Sequence, residues 1–259
     1  MISPDIAFAI LVNRTAQAYL QSPPPYMTYR ERTHVTGANR VQDIDRQVAV
    51  RVADDFAVMQ DLPHGATRTG EAFPIIPYFD PISSFGFSYF ANLKRVDIEL
   101  TRARPWYFAI PAPDPSVNLT IAYNSFFVPT YAPDSAPNAL HLLLAPTPRF
   151  HGFYPADIVE DPNSQLPSRI LMRSTSDDET IELDYQVIDG HWLIAHSVYS
   201  ATQHVAFMTF RVTADITFDT FTFPSEAPVP ALASSPSPSP SAAPSPPGGG
   251  RRALNDHFR

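Results

Sequence analysis

The sequence predicts a mainly β fold of the α+β class: a large curved antiparallel sheet with an N-terminal helix and a helix/loop lid. Three observations predict it. Segments alternating apolar and polar residues recur between positions 26 and 223, separated by turn residues. Proline is abundant, at 29 residues against 9 glycines, which disfavours long helices and stiffens loops. Helical spacing of apolar residues is confined to a stretch near the N-terminus.

The helix comes first. Ser3-Pro4-Asp5 supplies an N-cap, a proline at the first helical position and a carboxylate in the first turn. Ile6, Ile10, Ala16 and Leu20 follow at near-helical spacing, and Ser22-Pro23-Pro24-Pro25 ends the run, so the helix spans 4–21. Segments at 26–36, 46–52 and 55–62 then read as strands, the last two joined by Ala53-Asp54. Residues 63–92 have no clean period. Phe73, Tyr78, Phe79, Phe85, Phe87, Tyr89 and Phe90 are too many rings to leave in water, so this segment is a short helix with loops that fold over the sheet. Strands resume at 94–101, 106–111, 117–131, 140–146, 153–161 and 169–175.

LDYQVIDGHWLIAH (183–196) is the clearest hairpin. A two-residue Asp189-Gly190 turn, with both residues at positive φ, sets Ile188 opposite His191. Val187 then faces Trp192, Tyr185 faces Ile194, Leu183 faces His196 and Ile181 faces Val198, all on one apolar side. Gln186, Leu193, Asp184, Ala195, Glu182 and Ser197 take the mostly polar side. After a turn near Thr202-Gln203, a strand at 205–213 carries Ala206, Met208, Phe210 and Val212 on one side, and 216–223 closes the meander. The result is one domain over 1–225. Beyond it the chain turns to Pro, Ser and Ala, too poor in apolar residues to fold, and 226–259 is a disordered tail.

Composition narrows the function classes. A formal net charge of -8 argues against nucleic-acid binding, which rests on Lys and Arg neutralising phosphates. With no Cys, disulfides, thiol catalysis and Cys-ligated metals are excluded. No apolar run reaches the roughly 18 residues that cross a bilayer. Ile6 to Val12 is apolar but has no basic region or cleavage site beside it, so no signal peptide is visible: the chain is cytoplasmic, or mature or trimmed.

Catalytic motifs are missing: there is no G-x-S-x-G, no Gly-rich phosphate loop and no H-E-x-x-H. His191 and His196, five apart in one strand, point to opposite faces and do not share a metal, and His196 reads as a partly buried residue opposite Leu183. Asp177-Asp178-Glu179 reads as a charged hairpin tip, and Asp157, Glu160 and Asp161 as another charged strand end. No metal ligands and no cofactor are expected. The better lead is aromatic. An apolar sheet face must be covered, and the covers on offer are the 4–21 helix and the 73–92 segment. A sheet of about ten strands curls and leaves a trough. Its candidate lining is Leu183, Tyr185, Val187, Trp192, Ile194, Met208 and Phe210, with Phe79 and Phe85 from the lid. Helix and lid either fill that trough as a core or leave room for an acyl chain.

Three segments resemble the outer-membrane lipoprotein-sorting (LolA-like) family. RTAQAYLQSPPPYMTYRERTHVTG is similar to its opening helix and first strand, VEDPNSQLPSRI to its proline-bounded strand connection, and IELDYQVIDGHWLIAHSVY to its "tyrosine, variable, dGxW" hairpin. The resemblance covers most of 4–224 in order and is weakest over 63–150. It implies an unclosed half-barrel with a helical lid and an apolar cavity, periplasmic or otherwise extracytoplasmic, working as a monomer without a cofactor. The implied activity is non-enzymatic binding of a lipid acyl chain or lipoprotein, with a membrane protein as possible acceptor. A regulatory or scaffold domain of the same fold, binding a protein partner, is the alternative; an enzyme comes last.

Overall fold

The computed structural model describes residues 2–20, 24–37, 40–71, 76–82, 127–148, 150, 153–175, 178–205 and 208–233. These form α1 (Pro4–Leu20), β1 (Tyr26–Gly37), β2 (Arg40–Arg51), β3 (Phe56–Asp61), β4 (Thr67–Glu71), β5 (Phe127–Tyr131) and β6 (His141–Pro146). β7 (Phe153–Glu160), β8 (Pro167–Ser174), β9 (Glu179–Ile188), β10 (His191–Val205), β11 (Met208–Thr222) and a single helical turn, α2 (Pro230–Ala233), follow. Among the described residues the strands make one 11-stranded antiparallel sheet in the order β4-β3-β2-β1-β11-β10-β9-β8-β7-β6-β5, with β4 and β5 as its edges and no closure into a barrel. The strands expected at 94–101, 106–111 and 117–126, and Phe85, lie outside the described residues.

By its contacts the chain divides into two compact units, one of residues 1–23, 31–44 and 77–219 and one of 24–30, 45–76 and 220–259. In the first unit, α1 opens with Ser3: its hydroxyl accepts from the Ile6 amide at 3.5 Å and its carbonyl from the Ala7 amide at 3.0 Å. The helix buries Ala7, Phe8, Leu11 and Val12 and packs on β5 and β10. The spacing of Ile6 and Ile10 had marked the wrong face. Both are exposed, together with Ile2, because a run apolar on all sides does not announce which stripe the core takes.

An aliphatic row crosses six strands of this unit. Leu142 pairs with Ile158, Ile158 with Ile170, Ile170 with Leu183, Leu183 with Ser197 and Ser197 with Ile216, and every one is buried. Two prolines sit where a strand tolerates them. Pro129 lies in the edge strand β5, and Pro155 sits at a register shift in β7, where its missing N–H interrupts no regular ladder. Gly37 is required by close approach: a Cβ there would lie 2.9 Å from Val212 Cγ2.

In the second unit β2, β3 and β4 form a meander over buried Val48, Val50 and Ala57. Arg51 ties it together. Its Nε and Nη2 donate to the Asp54 carboxylate at 2.8 and 2.7 Å, Nη1 donates to the Leu232 carbonyl at 2.8 Å, and the guanidinium stands 5.5 Å from the Phe56 ring centre. That hydrogen-bonded guanidinium holds the Asp54 carboxyl below its ordinary value. Leu232 is fully buried, so the predicted tail contains an ordered anchor at α2 before residues 234–259, which lie outside the described residues. β4 had no signal in the sequence, since Thr67, Arg68 and Thr69 are exposed and no apolar period marks an edge strand of this kind.

Two corrections concern the C-terminal meander. The turn expected near Thr202-Gln203 is absent: β10 continues to Val205, which pairs with Met208. The segments 205–213 and 216–223 do not make two strands but one, β11. The Asp189-Gly190 turn is as expected, with φ of 50° and 83°. A Cβ at Gly190 would meet nothing within 4 Å, so its need for glycine is purely conformational. Gly190→Ala should therefore cost about 1–2 kcal/mol in urea unfolding through backbone strain alone; an unchanged midpoint would show that the turn does not hold the hairpin.

Candidate functional site

The apolar face of the β9–β10 hairpin is built by alternation and covered by the start of the aromatic segment. Trp192 and Tyr185 stack at 4.1 Å between ring centres, 15° from parallel. Each ring also anchors its polar end: Trp192 Nε1 donates to the Pro167 carbonyl at 2.8 Å, and the Tyr185 hydroxyl donates to the Phe79 carbonyl at 2.8 Å. The Ile194 amide, beyond the part of β10 that pairs with β11, donates instead to the Pro77 carbonyl at 2.6 Å. Burial and the charge of Asp80 raise the Tyr185 hydroxyl well above its ordinary pKa, so it stays a donor. Asp80 itself is buried and caps the short turn after it, accepting from the Ile82 amide at 2.9 Å.

The predicted lining residues separate. Leu183, Tyr185, Trp192 and Ile194 are buried together on this face. Val187, opposite Trp192, is 50% exposed at the hairpin end. Phe210 is half-buried and pairs with Gln203, and Met208 opens β11 next to Val205. Phe79 contributes its carbonyl to Tyr185 and is half-buried. Leu193, expected on the polar side, is buried as well, so this end of the hairpin is covered on both faces.

The register beyond Ile194 differs from simple alternation. Ala195 is an extra residue, a β-bulge, after which His196 pairs with Asp184, Ser197 with Leu183 and Tyr199 with Ile181. The pairs Leu183–His196 and Ile181–Val198 do not form. His196 is turned to the polar face, between Asp184 (Nδ1 to Oδ2, 2.9 Å) and Asp215 (Nε2 to Oδ1, 3.1 Å). The bulge also puts His191 on that same face rather than the opposite one; their partners on β9, Ile188 and Asp184, are four residues apart, about 13 Å along the strand. His141 is held alike, with Nδ1 2.6 Å from Asp134 and Nε2 3.0 Å from Asp157, while Arg169 approaches Asp157 at 3.6 Å. Among the described residues no group of His, Asp and Glu could hold a metal ion.

Glu160 belongs to the charged strand end that the sequence predicts, and it is buried. Its Oε1 accepts from Arg14 Nη1 at 2.8 Å and its Oε2 from the Leu140 amide at 3.1 Å. The signal was available: Ala156, Ile158 and Glu160 share one face of β7 by the period of two. Asp161 does lie at the strand end, where its carboxylate accepts from the Ser164 amide at 2.9 Å and Ser164 hydroxyl at 2.7 Å.

No model of a known family matches the sequence, and no curated protein matches it. Solved structures are similar to it at low identity. A LolA superfamily protein from Nitrosomonas europaea is 9% identical with a TM-score of 0.38, over 83% of this chain and 92% of that one. A DUF1329 family protein from Desulfovibrio piger is 13% identical with a TM-score of 0.36, over 85% and 93%. A putative outer membrane lipoprotein-sorting protein domain from Vibrio parahaemolyticus is 12% identical with a TM-score of 0.38, over 82% and 90%.

Two changes test this geometry. Ser197 Oγ is buried without a hydrogen-bond partner among the described residues, the one polar atom in the aliphatic row. Ser197→Ala should leave stability unchanged or raise it by up to about 1 kcal/mol, whereas a loss would reveal a hidden acceptor. For His196, burial lowers the pKa, but the hydrogen bonds and charges of Asp184 and Asp215 outweigh it and the net shift is upward. A raised folded pKa adds stability that is full below about pH 6.5 and fades as pH rises through the folded value. His196→Gln should thus lower the unfolding midpoint more at about pH 5.5 than at about pH 9; equal losses would remove the imidazolium from the account.

Proposed function

We propose that this chain is a non-enzymatic, extracytoplasmic binder of lipid or lipoprotein acyl chains. The observation that carries the reading is the aliphatic row from Leu142 to Ile216, set in a sheet that does not close on itself. A sheet with one such face needs a cover, and an exchangeable cover is what a carrier requires. Leu183, Tyr185, Trp192, Ile194 and Phe210 form the proposed floor, with Met208 at its β11 end, Val187 at its rim, and Phe79 and Phe85 in the lid. The resemblance of the opening helix, the Pro162 connection and the Trp192 hairpin to LolA-like sequences supports the same reading, and the periplasm as its location.

Energetics agree. Burying an acyl chain yields roughly 0.8 kcal/mol per CH₂, so a 16-carbon chain brings about 12 kcal/mol before ordering costs. Part of that gain has to offset lid opening, which breaks the Tyr185–Phe79 and Ile194–Pro77 hydrogen bonds.

Native mass spectrometry of the purified protein, followed by organic extraction, tests the proposal. We expect co-purifying phospholipid or acylated peptide, lost in Phe210→Asp while the unfolding midpoint is kept. A clean unliganded mass that also refuses added fatty acid and lipopeptide would overturn it in favour of a protein-binding domain.

A further inference from the structure

We infer that a separate pocket beside α1 binds a single-chain amphiphile with an anionic oxygen head, a carboxylate or phosphate, on a short alkyl tail. The pocket has a volume of about 310 Å³, at the small end of ligand sites, room for one chain rather than two. Its lining includes no residue of the Trp192 face, so the inference stands apart from the function proposed above.

The wall from α1 is graded. Ile10 and Arg14, one turn apart, lie on one stripe of the helix, and Ile2, just before the helix begins, lines the same pocket; Ile2 and Ile10 are both exposed. Tyr131 and Leu140 also line the cavity. The Tyr131 hydroxyl donates to the Ile2 carbonyl at 2.9 Å, which fixes the apolar end of the wall.

The polar end is built around a buried carboxylate. Glu160 has both oxygens engaged, by Arg14 at 2.8 Å and by the Leu140 amide at 3.1 Å, and its side chain is 3% exposed. It is therefore closed to a ligand, and what it does is hold the guanidinium in place. Arg14 is different. Its side chain is 36% exposed and, among the described residues, makes this one hydrogen bond, through Nη1. A guanidinium carries five N–H donors in a fixed fork, so Nε and Nη2 remain to receive a second oxyanion. Asn138 and Gln165 also line the cavity, and each carries a side-chain amide able to donate. A cationic head would meet the guanidinium, and a purely apolar ligand would leave the fork unused.

Calorimetric titration of the full chain with decanoate, decyl phosphate and decanol, each below its micelle concentration, tests this. At least one anion should bind tenfold or more tighter than decanol; which anion wins decides between a carboxylate and a phosphate head. In the Arg14→Gln/Glu160→Gln double variant, which keeps an amide pair and leaves no buried charge alone, the preference should vanish while decanol binding changes less than twofold. Ile10→Glu, at an exposed position that does not threaten the fold, should weaken both anions tenfold or more. Binding of the anions should survive Phe210→Asp. Equal affinity for decanol and the anions, a preference that persists in the double variant, insensitivity to Ile10→Glu, loss in Phe210→Asp, or no binding at all would each overturn the inference.

Discussion

Keeping the aliphatic row from Leu142 to Ile216 out of water is the constraint on which the first unit depends. Full burial of each Leu or Ile side chain is worth roughly 1.5–3 kcal/mol, and the row runs without a break through six strands. Among the described residues the sheet is unclosed and no strand lies opposite to cover the row, so other elements do. α1 brings Phe8, Leu11 and Val12, and the segment from Pro77 to Ile82 is held over the hairpin by two carbonyls. The Trp192–Tyr185 stack matters less as an isolated contact than as the point where sheet and cover are tied. The same two hydrogen bonds that complete the core are the ones a ligand would have to displace.

One inserted residue makes the row possible. Without the Ala195 bulge, strict alternation would turn His196 inward and Ser197 outward. The bulge reverses them and keeps Ser197, Tyr199 and Ala201 on the covered side. It also delivers His196 to two carboxylates from neighbouring strands. Since a carboxylate only accepts, contact with both ring nitrogens favours the doubly protonated ring. A polar series follows across the outer face, from Asp134 and His141 through Asp157 and Arg169, and again from Asp184 through His196 to Asp215. Beside it, Arg32 pairs with Asp219. The two faces are thus specified by opposite chemistry, and a register slip would be penalised on both.

The sequence by itself determined the strand-rich class, the capped helix, the Asp189-Gly190 turn and the burial of Leu183, Tyr185, Trp192 and Ile194 on one face of the hairpin. Those features are local: alternation, capping and φ preference are written in a few adjacent residues. Tertiary structure decided the rest. Which stripe of the apolar run 6–12 of α1 is buried depends on the strands it meets, so Ile6 and Ile10 could not be told from Phe8 and Leu11 by spacing. The bulge at Ala195 is set by pairing with both neighbours, so His196 could not be assigned its face from its own strand. Glu160 stood among acidic neighbours, yet an arginine 146 residues earlier in the chain makes its burial tolerable. A buried charge is legible only once its counter-charge is in place, and that juxtaposition belongs to the fold.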